Sequence, residues 1–266
     1  MTLPIALTIA GSDPSGGAGI QADLKTFAAC GVYGASVITA LTAQNTCGVT
    51  DVHVVPAEFV TAQLDAVLSD LDVRAVKTGM LARSDIIEAI AEALERFSPP
   101  NLVIDPVMIA SSGNALLTEE AIATLREKLL PRARLITPNL PEAARLLGES
   151  EAAREIDIAR QGRALLALGC EAVLIKGGHA GGAQSIDYLF AKGSVERFSA
   201  PRIDTNNTHG TGCTLASAIA AGLARGLALS HAVRGAKDYV TAAIAAADRL
   251  AVGRGNGPLH HFHAFD

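Results

Sequence analysis

The sequence predicts an α/β fold: a mostly parallel central sheet covered by helices on both faces, with an antiparallel hairpin toward one edge. Three observations lead there. Strand-like apolar runs alternate with helix-like periodic runs along the chain, the pattern of repeated β-α units. Hydrophobic residues make up 49% of the 266 and charged residues 18%, so enough apolar surface can be buried to offset the entropy of folding. Residues 185–200, "SIDYLFAKGSVERFSA", break the alternation with two strand-like runs around Lys192-Gly193 and read as a hairpin. No linker, low-complexity tract or fixed-period repeat interrupts the chain, so a single domain over 1–266 is expected.

The elements follow in order. "IALTIA" (5–10) is a strand, and residues 17–31 are a helix that Gly31 closes. "ASVITAL" (35–41) is a second strand and "VTDVHVV" (49–55) a third, shorter one. Residues 56–71 form a helix that starts at Pro56, where a missing N–H costs nothing. A strand at 73–79, a helix at 84–97 capped by Ser84, and a strand at 102–107 come next. Thr118 caps the helix over 118–131, and "RLITPN" (134–139) is the following strand. A short helix at 141–148 carries Pro141 in its first turn; a helix at 158–169 and a strand at 172–178 lead into the hairpin. Beyond it, a glycine-rich turn at Gly210 opens an apolar helix, and a last helix runs near 231–250.

The net charge is −5 with no basic block. That argues against nucleic acid as a partner, because phosphate neutralisation needs clustered Lys and Arg. A small anion needs only a few donors and stays allowed. No charged-then-apolar leader and no uninterrupted apolar span of about 20 residues is evident, so a cytoplasmic protein without a membrane partner is expected. Cys30, Cys47, Cys170 and Cys213 show no C-x-x-C spacing, which gives no metal or redox motif and little case for disulfides.

In sheets of this kind ligands bind beyond the carboxyl ends of the strands. After the first strand comes "GSDPSGGAGIQAD". Gly17, Gly19 and Ala22 match a dinucleotide fingerprint in spacing, but Gly17 lies seven residues past the strand and no acid ends the second one. A plain loop and a backbone that approaches a small ligand both remain, the latter with Asp23 pointing into the site. No G-x-x-x-x-G-K-[ST] occurs. Later strands end at Gln44, Met80, Asp105, Asn139 with Glu142, and Lys176. Singly each has an ordinary reading: a turn former at Asp105, a dipole partner at Glu142, a solvated cation at Lys176. Together they make a cation-and-carboxylate set suited to a metal–polyphosphate complex.

"THGTGC" carries the sharpest signal. Gly210, Thr211, Gly212 and Cys213 form the first turn of a helix apolar on nearly every side. Its amides lack helical partners and its dipole places partial positive charge there, so an anion is attracted. A thiol at such a mouth is expected to ionise more readily and to serve as base for a hydroxyl. The ordinary alternative is a small core cysteine.

This stretch resembles the G-T-G-D signature of ribokinase-like small-molecule kinases, with Cys213 where most members carry the catalytic Asp. The Cys form is similar to the hydroxymethylpyrimidine kinase/phosphomethylpyrimidine kinase branch of thiamine biosynthesis. "AGSDPSGGAGIQADLKTF", "VITALTAQNT", "KTGML", "ITPNLPEA", "IKGGH", "NTHGTGCTL" and "GPLHHFHAF" all look like that branch. The resemblance implies a three-layer ribokinase-like kinase that uses ATP and Mg²⁺. Its substrate is implied to be 4-amino-5-hydroxymethyl-2-methylpyrimidine, then the monophosphate. It implies that Gly11, Asp23, Gln44, Met80 and Val107 line the pyrimidine pocket and that Lys176 holds ATP phosphates. Glu142 with Asp105 would hold the metal, and Asn139, Thr208, Thr211 and Lys237 would lie along the nucleotide. A homodimer is implied as well, and His260, His261 and His263 are taken as structural. Two rivals stand beside it: a pyridoxal or pyridoxine kinase of the same fold, and a non-catalytic pyrimidine sensor. Pyridoxal lacks the amino–ring nitrogen edge that Gln44 would read.

Overall fold

In chain order the elements are β1 (Ile5–Ser12), α1 (Gly19–Ala29), β2 (Tyr33–Asn45), β3 (Gly48–Val54), α2 (Ala57–Leu68) and β4 (Val73–Thr78). They continue with α3 (Ser84–Phe97), β5 (Leu102–Ile104), α4 (Glu119–Thr124), β6 (Leu135–Ile136), α5 (Leu140–Leu147) and α6 (Glu155–Leu166). The last are β7 (Ala172–Ile175), β8 (Gln184–Ala191), β9 (Ser194–Pro201), α7 (Thr211–Ala224) and α8 (Leu229–Ala245). This computed structural model describes residues 3–108, 117–178 and 182–265; His179 of the "IKGGH" motif lies outside them.

Among the described residues the strands form one nine-stranded sheet in the order β3-β2-β1-β4-β5-β6-β7-β8-β9. From β2 through β7 every neighbour is parallel. The expected hairpin is β8–β9, antiparallel to each other and added to β7. The opposite edge holds a second antiparallel pair, β2 with β3, where the sequence predicts a third strand but not its pairing. β2 also runs on to Asn45. Its last residues, "TAQN", project past the core beside β3, so no apolar alternation marks them.

Alternation across the pleat sorts the core into two layers. Leu7, Ile9, Val76, Ile104, Ile136 and Val173 pack with residues of α2 through α6. Their neighbours Ala6, Ala75, Val103, Leu135 and Ala172 pack with α1, α7 and α8. The second layer is rich in alanine on sheet and helix alike. Small side chains let α7 lie close on the sheet, and Thr214 through Ala224 are all buried. The close approach aims the start of α7 at the strand ends.

Caps follow the sequence reading in part. Thr118 accepts from the Ala121 amide as expected. Ser84 is not a cap: it is the first helical residue, and Arg83 occupies the cap position without a side-chain cap bond, while Asp85 Oδ1 accepts from the Ile86 amide at 3.0 Å. Asp85 supplies first-turn negative charge instead. Among the described residues no helix is long and apolar enough to cross a membrane.

Candidate active site

A cavity of about 720 Å³ opens beyond the carboxyl ends of the parallel strands, at the mouth of α7. Gly11, Gln44, Met80, Val107, Asp105, Asn139, Glu142, Lys176, Thr208, Gly210, Thr211, Gly212, Cys213 and Lys237 all line it.

The α7 mouth is built around glycine. Gly210 sits at the cap with φ +81°, and a Cβ there would run into the Gly17 carbonyl oxygen. Gly212 and Cys213 lie in the first turn, where the amides have no helical acceptor. A Cβ on Gly212 would stand 3.3 Å from Lys176 Nζ and 3.7 Å from Asp105 Oδ2. The Lys176 ammonium therefore lies against the helix mouth, and dipole and cation together favour an anion.

Lys176 Nζ is 2.8 Å from Asp105 Oδ1 and 3.8 Å from Glu142 Oε2. Burial works against its charge, but Asp105 and then Glu142 outweigh that and raise its pKa. Burial likewise opposes charge on Asp105, yet Lys176 and Lys77 hold it below the usual carboxylate range. Thr137 donates to the same carboxylate at 3.0 Å. Glu142 behaves differently: burial pushes it up to about 7 against the pull of Lys176 and with a push from Asp105. Its second duty is structural. Asn139 Oδ1 accepts from the Glu142 amide and Glu142 Oε2 from the Asn139 amide, both at 2.8 Å, a capping box that fixes the start of α5. Lys237 is held by Asp187 at 2.8 Å and Ser185 at 3.0 Å.

Two expectations fail. Asp23 does not line the cavity. It is fully buried beneath it, accepting from Thr8 and Ser217 at 2.6 Å each and from Lys77 at 2.9 Å on both oxygens. A carboxylate on the inner side of α1, opposite a lysine in β4, finds its partner inside the protein rather than in solvent. The Cys213 thiol is not made more acidic. Burial pushes it up to about 11, and the Asp23 and Asp105 charges add to that; the Lys77 ammonium and the Gly19 amide pull the other way. Desolvation here exceeds the helix-end effect.

Sequence reasoning missed Lys77, Asp13 and His209, which also line the cavity. Lys77 left a signal: a lone cation in the apolar run "VRAVKTG" must be paired if the strand is central. Asp13 and His209 left none, because 196 residues separate the two ends of their 2.8 Å contact.

The same cavity also suits a flat, partly polar ring. Gln44 and Met80 line it, with Met80 in space that Gly11 leaves free: a Cβ on Gly11 would collide with Met80 Cε. One cavity thus holds a helix mouth that favours an anion, three lysines (Lys77, Lys176 and Lys237), a thiol, and an amide able to read a heteroaromatic edge.

Comparison with known proteins agrees with that chemistry. A family model described as phosphomethylpyrimidine kinase matches residues 13–260. The hydroxymethylpyrimidine/phosphomethylpyrimidine kinases of Salmonella typhimurium and Escherichia coli are 60% and 58% identical over 260 residues, covering 98% of this chain and 98% of each relative. Among solved structures, the ADP complex of Bacillus subtilis pyridoxal kinase matches with TM-score 0.92 and 38% identity, covering 99% of both chains. The phosphomethylpyrimidine kinase of Clostridium difficile matches with TM-score 0.81 and 46% identity, over 91% of this chain and 100% of that one.

Proposed function

The chain belongs to the phosphomethylpyrimidine kinase family, and on that premise we propose how its residues carry the reaction. It is a kinase that phosphorylates 4-amino-5-hydroxymethyl-2-methylpyrimidine and then the monophosphate, with ATP as donor, in thiamine biosynthesis. The observation that carries this reading is the Lys176 ammonium against Gly212, in one cavity with Cys213 and Gln44.

The amides of Gly212 and Cys213 and the Lys176 ammonium receive the transferring phosphoryl group. Their task is to stabilise charge that spreads over its oxygens, the main demand of such a transfer. The substrate oxygen bonds to the γ-phosphorus, and the bond from that phosphorus to the ADP oxygen breaks. The hydroxyl proton passes to the Cys213 sulfur in its thiolate form, and the thiol later returns it to solvent. Lys77 lies close enough to lower the cost of that thiolate. Asn139, Thr208, Thr211 and Lys237 flank the nucleotide; Gly11, Gln44, Met80 and Val107 hold the ring. Asp23 acts from below by fixing Lys77.

Asp105 and Glu142 fit Mg²⁺. Both are oxygen donors facing the cavity, and this ion is commonly held by one or two carboxylates, waters and substrate phosphates. When bound, it would neutralise charge on the nucleotide phosphates. We further propose a single kinase domain over 1–266, a homodimer and a cytoplasmic location; light scattering after size exclusion tests the oligomer.

The rival is a pyridoxal kinase, favoured by the 0.92 TM-score to the Bacillus enzyme. The higher identity to the two pyrimidine kinases supports the pyrimidine. Measuring ATP turnover with each alcohol, and the products by mass, decides between them. The aminopyrimidine giving mono- and then diphosphate faster than pyridoxal is phosphorylated is the expected result. Faster pyridoxal turnover overturns the preference, and binding of the pyrimidine without product indicates a sensor.

A further inference from the structure

The Gln44 carboxamide lies 3.3 Å from the His209 ring. The ring sits just before the α7 mouth, packed on Gly17; a Cβ on Gly17 would collide with His209 Cδ2. His209 Nε2 is 2.8 Å from Asp13 Oδ2. That carboxylate is 2% exposed and also accepts from the amides of Ser15, Gly17 and Ala18 and from the Ser15 hydroxyl. Its pKa is about 2: burial works to raise it, and the bonds from His209 and Ser15 win. An ionised carboxylate only accepts, so His209 Nε2 must carry a hydrogen.

The carboxamide of Gln44 is placed with Nε2 3.3 Å from His209 Nε2 and Oε1 3.1 Å from Thr42 Oγ1. The first contact sets donor against donor. The second needs a hydroxyl proton that Thr42 also directs at the Ser12 carbonyl oxygen, 2.7 Å away. Half a turn of the carboxamide removes the donor–donor contact and frees the Thr42 proton. Gln44 Oε1 then faces the His209 N–H, whose single hydrogen goes mainly to Asp13 at 2.8 Å and reaches Gln44 as the longer arm of a shared bond, while Gln44 Nε2 donates to Thr42 and Thr42 donates to Ser12.

We propose that His209, anchored by Asp13, is a specificity-determining positioning residue: it locks the Gln44 carboxamide with its oxygen toward His209 and its nitrogen toward Thr42. This rests on the reading of Gln44 as the ring-reading residue. The lock leaves one lone pair and one N–H of Gln44 for the ligand, in a fixed order. An exocyclic amine donates on the His209 side, and a ring nitrogen accepts on the Thr42 side. A free glutamine could turn over and read the reversed pattern of a 4-oxo pyrimidine, a carbonyl beside a ring N–H. A locked one rejects it, because buried polar groups would face like with like.

Two measurements test the lock. In the wild-type protein, NMR of the Gln44 side-chain amide should show cross-relaxation of its NH₂ protons with Thr42 and not with the His209 ring. NH₂ protons lying against the His209 ring overturn the proposal, whatever the substrate proves to be. Kinetics follow, with 4-amino- and 4-oxo-5-hydroxymethyl-2-methylpyrimidine as alternative substrates. His209→Leu and Asp13→Asn should each reduce the amino-over-oxo preference in kcat/KM at least about tenfold, mainly through KM. His209→Gln, which keeps an N–H near the Nε2 position, should retain the preference. An unchanged ratio in folded His209→Leu or Asp13→Asn protein with wild-type KM for ATP contradicts the lock. Should wild-type protein not phosphorylate the aminopyrimidine at all, the functional reading fails while the NMR result still decides the lock.

Discussion

Replacing the Cys213 thiol probes the chemical step itself. Cys213→Ala should lower the single-turnover rate by roughly 10²–10⁴-fold, the range for loss of a general base. The structure adds a pH dependence. With the thiol pushed up to about 11, about one molecule in 10⁴ carries the thiolate at pH 7 and about one in 10² at pH 9. The wild-type rate should therefore climb from pH 7 to pH 9, approaching tenfold per unit, as the thiolate fraction grows. Cys213→Asp supplies a stronger acid at the same place and should move the climb to lower pH. Rapid-quench measurement of product at saturating ATP and alcohol isolates chemistry from release. The substitution removes one sulfur at the edge of the cavity, so thermal unfolding should change little beside the rate. A Cys213→Ala rate equal to wild type, with a flat wild-type profile, refutes the base role and leaves only the amide cradle.

Other expectations follow from single contacts. Glu142→Gln should raise the Mg²⁺ concentration needed for half-maximal turnover without unfolding α5, because Gln also completes a capping box; an unchanged Mg²⁺ titration contradicts the metal assignment. Asp23→Asn should cost about 3–5 kcal/mol of stability by leaving the fully buried Lys77 charge uncompensated; denaturant unfolding within about 1 kcal/mol of wild type contradicts the pairing. His261 is held down to about 4 by burial, then by Lys25 and His260. Below its ordinary value near 6.5, the unfolded chain binds a proton that the folded state refuses. Stability is therefore lost as pH falls from about 6.5 toward 4, by about 2 kcal/mol between pH 7 and pH 5. Urea midpoints in wild type and His261→Gln check it, and equal pH slopes in both contradict it.

The parallel sheet, the β8–β9 hairpin and the α7 mouth were legible because each leaves a local mark: apolar runs, a Lys-Gly turn, glycines before an alanine-rich helix. The β2–β3 edge was less so, since its residues are half-solvated and carry no apolar stripe. Strand-end residues such as Gln44, Lys176 and Glu142 could be placed from topology alone, because every parallel strand ends on the same side. Asp23 misled for a reason of depth. Its place in "GIQADLKTF" fixes the helix but not whether the side chain meets ligand or Lys77. Cys213 lies at the α7 mouth, where its motif puts it, but its acidity is not legible in the sequence, because burial is set by the sheet, α1 and α7 together. The Asp13–His209 pair depends on loops from opposite ends of the chain, and no local pattern announces it.

Crystals grown with a non-hydrolysable ATP analogue and the aminopyrimidine alcohol test the central claim most directly. The γ-phosphate should lie on the amides of Gly212 and Cys213 beside Lys176, with the alcohol oxygen within hydrogen-bond reach of the Cys213 sulfur. An alcohol bound away from that sulfur, or a γ-phosphate away from the α7 mouth, contradicts the account.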